Sequence, residues 1–271
     1  MRYFVAVLLL LSSTLHAQEL FIQSEPASNM PAGYFGLRLT SDSWEAPKGI
    51  ATRVGGEVMY GITKELMIHG QVYGSHAIDA VELETYGSYL KYRFYTDDDF
   101  KYHFRLSVFG SVLFGSQHST MPEFTFKGSG PSAGGGLIAT LLENRTAFSI
   151  TTGYDHALKD ITLSDMSYEN ISGVNASLSV GHLLYPSRYT NYSDVNINLY
   201  GEVIASHSWY DHVMNGDRLK ENGTVLLVSP GAQCIINSVL RIDLSYSIVA
   251  SSTYSERRAN SLLARIEYNF Y

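Results

Sequence analysis

One cysteine, Cys234, stands in 271 residues. No intramolecular disulfide can form, so an exported form of the chain must take its stability from the fold itself. Charge is scarce as well: 17% of residues are Asp, Glu, Lys or Arg, against 45% hydrophobic, and the formal net charge is −7. That acidic balance argues against nucleic acid as a partner. Only two tryptophans accompany 20 tyrosines and 12 phenylalanines, an aromatic load suited to the interfacial belts of a membrane protein. No internal stretch reaches the roughly 18 consecutive apolar residues that a spanning helix needs. Strands are then the way left for this chain to cross a bilayer.

The first residues read differently. Met1-Arg2 is a short basic region, residues 4–11 are apolar, and Ser12-Ser13-Thr14 leads to Ala17. This predicts a cleaved secretory signal peptide at residues 1–17, although Leu15 is larger than the residue usually found three positions before such a cut. Losing Arg2 would take the net charge from −7 to −8. No cysteine follows the signal, which argues against a lipoprotein anchor. Residues 18–31 carry Pro26, Ser28, Asn29 and Pro31 without periodicity, and are expected to be a periplasmic lead-in.

From there the chain alternates. Residues 33–40 set Phe35, Leu37 and Leu39 against Tyr34, Gly36, Arg38 and Thr40; residues 53–62 repeat the pattern, with Arg53 and Glu57 on the less apolar side. Further strands are expected at 66–73, 87–95 and 102–114. The last is the longest: Tyr102, Phe104, Leu106, Val108, Val112 and Phe114 occupy one face, and His103, Arg105, Ser107 and Ser111 the other. Such a length suits a tilted spanning strand. Residues 134–142 are a weaker strand whose glycines suggest a kink or close packing. Strands follow at 147–154, 173–184, 195–205, 224–236 and 239–248, where His182 is expected outward and Pro230 calls for a bulge. The closing segment, 261–271, places Leu262, Ala264, Ile266, Tyr268 and Phe270 opposite Leu263, Arg265, Glu267, Asn269 and Tyr271.

Twelve strands is an even number, and short connections near Lys64, Asp98, Asn144 and Ser238 alternate with longer ones near Asp42, His76, His118, Lys159, Asp211 and Tyr254. Both features fit an all-β, transmembrane antiparallel up-and-down barrel spanning residues 32–271, with the long loops outside. A soluble secreted barrel alternates too, and alternation alone does not separate the two. The expected location is the bacterial outer membrane, with its lipid and the barrel-assembly machinery as partners.

Nearly every charge within these strands falls on one face. Arg38, Arg53, Glu57, Lys91, Arg93, His103, Arg105, Glu202, Arg241, Asp243, Arg265 and Glu267 are therefore candidate lumen-lining residues. On adjacent strands such charges pair across the ladder, and Arg265 and Glu267 would complete a ring between Arg241, Asp243 and Arg38. Either these residues line a water-filled pore for small solutes, or they plug the lumen with their own salt bridges, since twelve strands make a narrower barrel than the 16 to 18 of open porins.

Other chemistry is less well supported. His118-Ser119, Asp155-His156, His207-Ser208 and Asp211-His212 are pieces from which a hydrolase site could be built, but none lies in a recognisable catalytic motif. His207, Asp211, His212 and Asp217 lack the tight spacing of a metal site. No cofactor, metal or catalytic residue is expected. The alternative to a channel is a non-conducting surface barrel whose external loops bind a partner.

The runs Ser24-Glu-Pro-Ala-Ser-Asn-Met-Pro-Ala-Gly33, Tyr34-Phe-Gly-Leu-Arg38 and Val58-Met-Tyr-Gly-Ile-Thr-Lys-Glu-Leu-Met-Ile-His69 resemble uncharacterised outer-membrane proteins of the Bacteroidota. These are similar in turn to putative outer-membrane transporters labelled as phenol meta-degradation pathway proteins. The resemblance covers the N-terminal quarter and implies an outer-membrane β-barrel with passive transport; it brings no catalytic residues.

Overall fold

Two-residue periodicity produces strands, because successive side chains on an extended backbone point to opposite faces. In the computed structural model, residues 21–46, 49–78, 80–99, 101–115, 131–163, 166–187, 193–214, 216–254 and 259–270 are described. Among them are thirteen strands: β1 (Phe35–Ala46), β2 (Gly49–Gly61), β3 (Leu66–Ile78), β4 (Ala80–Asp99), β5 (Tyr102–Gly115), β6 (Ser132–Glu143), β7 (Thr146–Ala157), β8 (Ile161–Leu163), β9 (Met166–Tyr185), β10 (Asn196–Met214), β11 (Asp217–Ile236), β12 (Leu240–Ser252) and β13 (Ser261–Phe270). Twelve form a closed antiparallel barrel in chain order, while the three-residue β8 only extends a hairpin on β9. The last strand pairs with the first from Phe35↔Phe270 to Trp44↔Ser261. Closure leaves no edge of unpaired amides, which in hydrocarbon would cost several kcal/mol each.

Burial decides between lipid and water outside. Leu39, Leu137 and Leu178 are 61%, 56% and 55% exposed, whereas Lys91, Ser179 and Asn198 are fully buried. The outer wall carries Leu37, Val58, Leu90, Ile150, Val203, Leu244 and Ile266 in a continuous apolar surface of a kind that soluble proteins do not leave open. This is a transmembrane barrel: polar within, apolar without. Phe35 and Phe270 stack across the closing seam with centroids 4.3 Å apart, and Tyr268 meets Phe270 edge-on at 4.7 Å.

Several expectations change. The long connections near Asp42, His76 and Asp211 are continuations of strand: Asp42 pairs in register with Arg53 and Leu263, β3 and β4 pair to Ile78↔Ala80, and β10 and β11 to Met214↔Asp217. Beyond the lipid both strand faces meet water, so the apolar alternation stops while the ladder continues. His118 and Ser119, the signal peptide at 1–17 and Tyr271 lie outside the described residues. Pro230 needs no bulge. The register between β11 and β12 is unchanged from Val228↔Ile248 to Gly231↔Ser245, and the irregularity falls instead at Leu226/Leu227. Likewise β6 runs without a register shift against β5 and β7. Its glycines serve close packing, since a Cβ on Gly136 would lie 1.9 Å from the carbonyl oxygen of Thr152.

The described part of the expected lead-in does not lie outside the barrel. Residues 21–30 run within it, with Phe21, Ile22, Ser24, Ala27, Ser28 and Met30 all buried. An eight-stranded barrel is filled by its own side chains, and one of 16 to 18 strands leaves a channel. Twelve strands leave a lumen wide enough for a strip of chain.

Candidate functional site

The lumen is built where inward positions of β1, β2, β3, β4, β5, β6, β7, β9, β10, β12 and β13 converge on residues 21–30. At the closing seam Arg38 faces Glu267 and Glu57, its register partners on β13 and β2. The Arg38 guanidinium lies 2.9 Å from the Glu267 carboxylate and 3.4 Å from that of Glu57, and it also pairs with Glu25 of the inner segment. Glu267 further accepts from Arg241 at 2.7 Å and from the Asn269 amide at 3.2 Å. Glu57 lies 3.2 Å from Nδ1 of His69. Beside this group, Arg265 donates to Asp243 at 2.9 Å, and Gln233, itself bonded to Asn198 at 3.0 Å, donates to Asp243 at 2.8 Å.

Removing charges from water is costly unless each is paired and hydrogen-bonded. These side chains are nearly all buried, and they meet that condition by alternating in sign around the wall. Lys91 is an instructive case. Its ammonium donates to the Pro26 carbonyl at 2.8 Å and lies 3.7 Å from Glu25 Oε2, two groups of the inner segment.

Across the lumen Glu202, 1% exposed, holds the segment by its backbone. One carboxylate oxygen accepts from the amides of Ile22 and Gln23 at 3.2 and 2.9 Å; the other accepts from the Ser24 amide at 2.9 Å and the Ser24 hydroxyl at 2.8 Å. Ser179 stands 2.9 Å from the Ser24 hydroxyl, and Gln23 donates to Ser247 at 2.8 Å. Farther along, the Ala27 amide donates to Thr140, the Ala27 carbonyl accepts from Ser107, and Ser28 accepts from Arg105 at 3.2 Å. Asn29 reaches the Glu65 carbonyl in the β2–β3 turn. Apolar clusters form at the two ends of the segment: Phe21 and Ile22 against Ala147, Tyr200 and Leu263, and Met30 against Met59 and Met67.

The remaining candidates sit apart from this centre. Arg105 and His103 both bond Asp98 at the β4–β5 turn, and Arg93 donates to the Lys64 carbonyl at the same end. Arg53 pairs with Glu84 at 2.6 Å toward the opposite end, with its guanidinium 4.6 Å above the Tyr73 ring. Glu25 was not among the sequence candidates, because a lone carboxylate in an aperiodic stretch carries no face. His69, Gln233 and Asn269 were legible only as inward positions.

The candidate hydrolase fragments among the described residues do not converge. Asp155 accepts from Asn175, while His156 on the other face of β7 contacts Ser172. His207 contacts Thr224 on the outer wall, with Ser208 buried on the opposite face. Asp211 takes Arg218 and Asn170, and His212 pairs with Glu221. No cluster of three metal-ligating side chains occurs among the described residues. His182 lies outward and exposed, bonded to Thr146.

No family model and no curated protein matches this chain. Among solved structures it is similar to an outer-membrane channel from Pseudomonas putida F1, at 12% identity and a TM-score of 0.57 over 92% of this chain and all of that one. It is also similar to the NanC porin, at 13% identity and a TM-score of 0.50 over 88% of this chain and 99% of that one. At these identities the likeness is one of fold: this chain has the closed antiparallel barrel of outer-membrane channels.

Proposed function

We propose that the protein is a passive channel of the bacterial outer membrane for small polar solutes, closed at rest by residues 21–30 and exported through a cleaved signal peptide. The observation that carries this reading is what fills the lumen. The space is occupied by a strip of chain held mainly by hydrogen bonds and ion pairs, with apolar clusters at its ends. Large side chains from the wall would fill a permanent core. A polar strip in a polar tube can exchange its contacts for water, each neutral hydrogen bond contributing only about 0.5–1.5 kcal/mol net and each one to a charged group about 1.5–3 kcal/mol. The wall it would leave behind carries Ser, Asn, Gln, Arg and Glu, the lining expected of an aqueous path. The likeness in fold to an outer-membrane channel and a porin supports the same reading.

Reconstitution into planar bilayers tests it. Folded protein is expected to give discrete conductance steps separated by long closures; no step under any salt condition would refute it. A second reading, a surface barrel that binds a ligand outside, draws on the extended hairpins of β9, β10 and β11, where Arg218 pairs with Glu169 and Asp211 and Tyr168 stacks on His212 at 5.1 Å.

A further inference from the structure

The inner wall of the barrel is not uniform in charge. Among the described residues, the lysines and arginines that face inward stand on β1, β2, β4, β5, β12 and β13, where carboxylates of the same strands and Glu25 accompany them. The inward positions of β6, β7, β9 (171–183) and β10 (196–210) carry two carboxylates, Asp155 and Glu202, and no Lys, Arg or His. His212, beyond Tyr210 at the hairpin tip, pairs with Glu221. Glu202 is taken up by the amides of Ile22, Gln23 and Ser24. Asp155 is not: its carboxylate accepts one hydrogen bond, from the Asn175 amide at 2.7 Å, and makes no ion pair among the described residues.

Beside Asp155 stand buried polar atoms that nothing satisfies. Thr151 Oγ1, Asn175 Oδ1, Ser177 Oγ and Ser208 Oγ make no hydrogen bond, and their residues are 2%, 2%, 4% and 0% exposed. Buried polar groups are ordinarily partnered, and leaving one without is costly. The register brings these four together. Thr151 lies opposite Ser177, Gly153 opposite Asn175, and Gly173 lies between Asp155 on β7 and Ser208 on β10. The two glycines place no side chain among these groups. Because Asn175 donates its amide to Asp155, its carbonyl oxygen is turned away from the carboxylate and can only accept.

The cluster begins where the contacts of the inner segment end. Ser179 touches Ser24, and Ser149 touches the Thr140 hydroxyl that receives the Ala27 amide. Thr151 and Ser177 are the next inward residues on the same two strands, toward the β8 hairpin.

One carboxylate, one amide carbonyl and three hydroxyls make an acceptor set with a single negative charge. The donor that matches it is a primary ammonium, which has three N–H groups and one positive charge. A divalent metal ion matches less well, since one anionic ligand is present and no group of three Asp, Glu, His or Cys side chains occurs among the described residues. Building on the channel reading, we propose that Asp155, Asn175, Thr151, Ser177 and Ser208 form a subsite for the primary ammonium group of a small solute. Withdrawal of the segment would free Glu202 on the same side of the lumen, so this wall favours a cation whether the segment is seated or not.

Thermal unfolding of the refolded protein tests this without relying on conductance. Ethylammonium chloride is compared with tetramethylammonium chloride at equal ionic strength; both cations carry one positive charge, and only the first donates N–H groups. Ethylammonium is expected to raise the unfolding temperature of the wild type by about 2 °C relative to tetramethylammonium. Asp155→Asn should abolish that difference, and Thr151→Val/Ser177→Ala, which keeps the carboxylate, should reduce it. No difference between the salts in the wild type, or the same difference in Asp155→Asn, overturns the subsite, even if the barrel conducts. If Asp155→Asn does not fold, the double variant decides, and an undiminished difference there overturns the subsite. An ammonium-specific gain that these variants lose, in a barrel that never conducts, would uphold the subsite and refute the channel.

Discussion

Arg38 and Glu267 stand directly opposite one another across the seam where the first and last strands close the barrel, and their side chains meet at 2.9 Å. The same residues that close the sheet thus anchor the charged cluster. Glu267 is shared by Arg38 and Arg241, so Glu267→Ala removes a carboxylate partner from two cations at once. Removing one partner of a buried pair costs about 3–5 kcal/mol. Urea unfolding of refolded protein should show a loss of that order, whereas a loss below about 1 kcal/mol would mean that water already reaches these groups.

The closing strand has two separable roles. Phe270 stacks on Phe35 at the membrane edge, while Arg265 pairs with Asp243 inside. Phe270→Ala is expected to lower the fraction of protein assembled in the membrane. Arg265→Ala should leave assembly closer to normal and change the lumen, seen as altered ion selectivity. Equal membrane assembly of the two variants would contradict this division.

On the outer wall, Leu178 is more than half exposed to whatever surrounds the barrel. In lipid, Leu178→Arg costs about 2–4 kcal/mol near the bilayer midplane. In water an exposed substitution of this kind stays within about 0.5 kcal/mol. Equilibrium unfolding from lipid vesicles distinguishes the two values.

Gly61 marks where the inner segment meets β2. A Cβ there would lie 2.2 Å from the Pro31 carbonyl oxygen, and the Gly33 amide donates to the Gly61 carbonyl at 2.8 Å. Gly61→Ala should push the segment off its seat. With Cys234 replaced by Ser, a thiol placed by Ala27→Cys, at a fully buried position, should then react with a water-soluble reagent about tenfold faster, the factor carried by 1.4 kcal/mol. An unchanged labelling rate would show that the segment yields elsewhere.

How much of this was legible beforehand follows the physics of each region. The strands within the lipid zone met two different solvents, and the contrast wrote an alternation that placed Arg38, Glu57, Lys91, Arg241, Asp243, Arg265 and Glu267 on one face. Above that zone the contrast vanishes, so residues such as Asp42 and Asp211 read as loop although they are strand. The inner segment was unreadable for another reason. Its contacts are one-off, each to a different strand: Ser24 to β9 and β10, Ala27 to β5 and β6, Glu25 to β1 and β4. A chain that satisfies many unlike neighbours has no period, and its Pro and Ser content resembles that of a linker.

The central claim is that residues 21–30 close the lumen reversibly. The hydroxyls of Ser24 and Ser179 lie 2.9 Å apart, so Ser24→Cys/Ser179→Cys, with Cys234 replaced by Ser, offers a disulfide that pins the segment to β9. Single-channel recording of this variant should show a closed barrel when oxidised and conductance steps after reduction. The same conductance in both states would contradict the account.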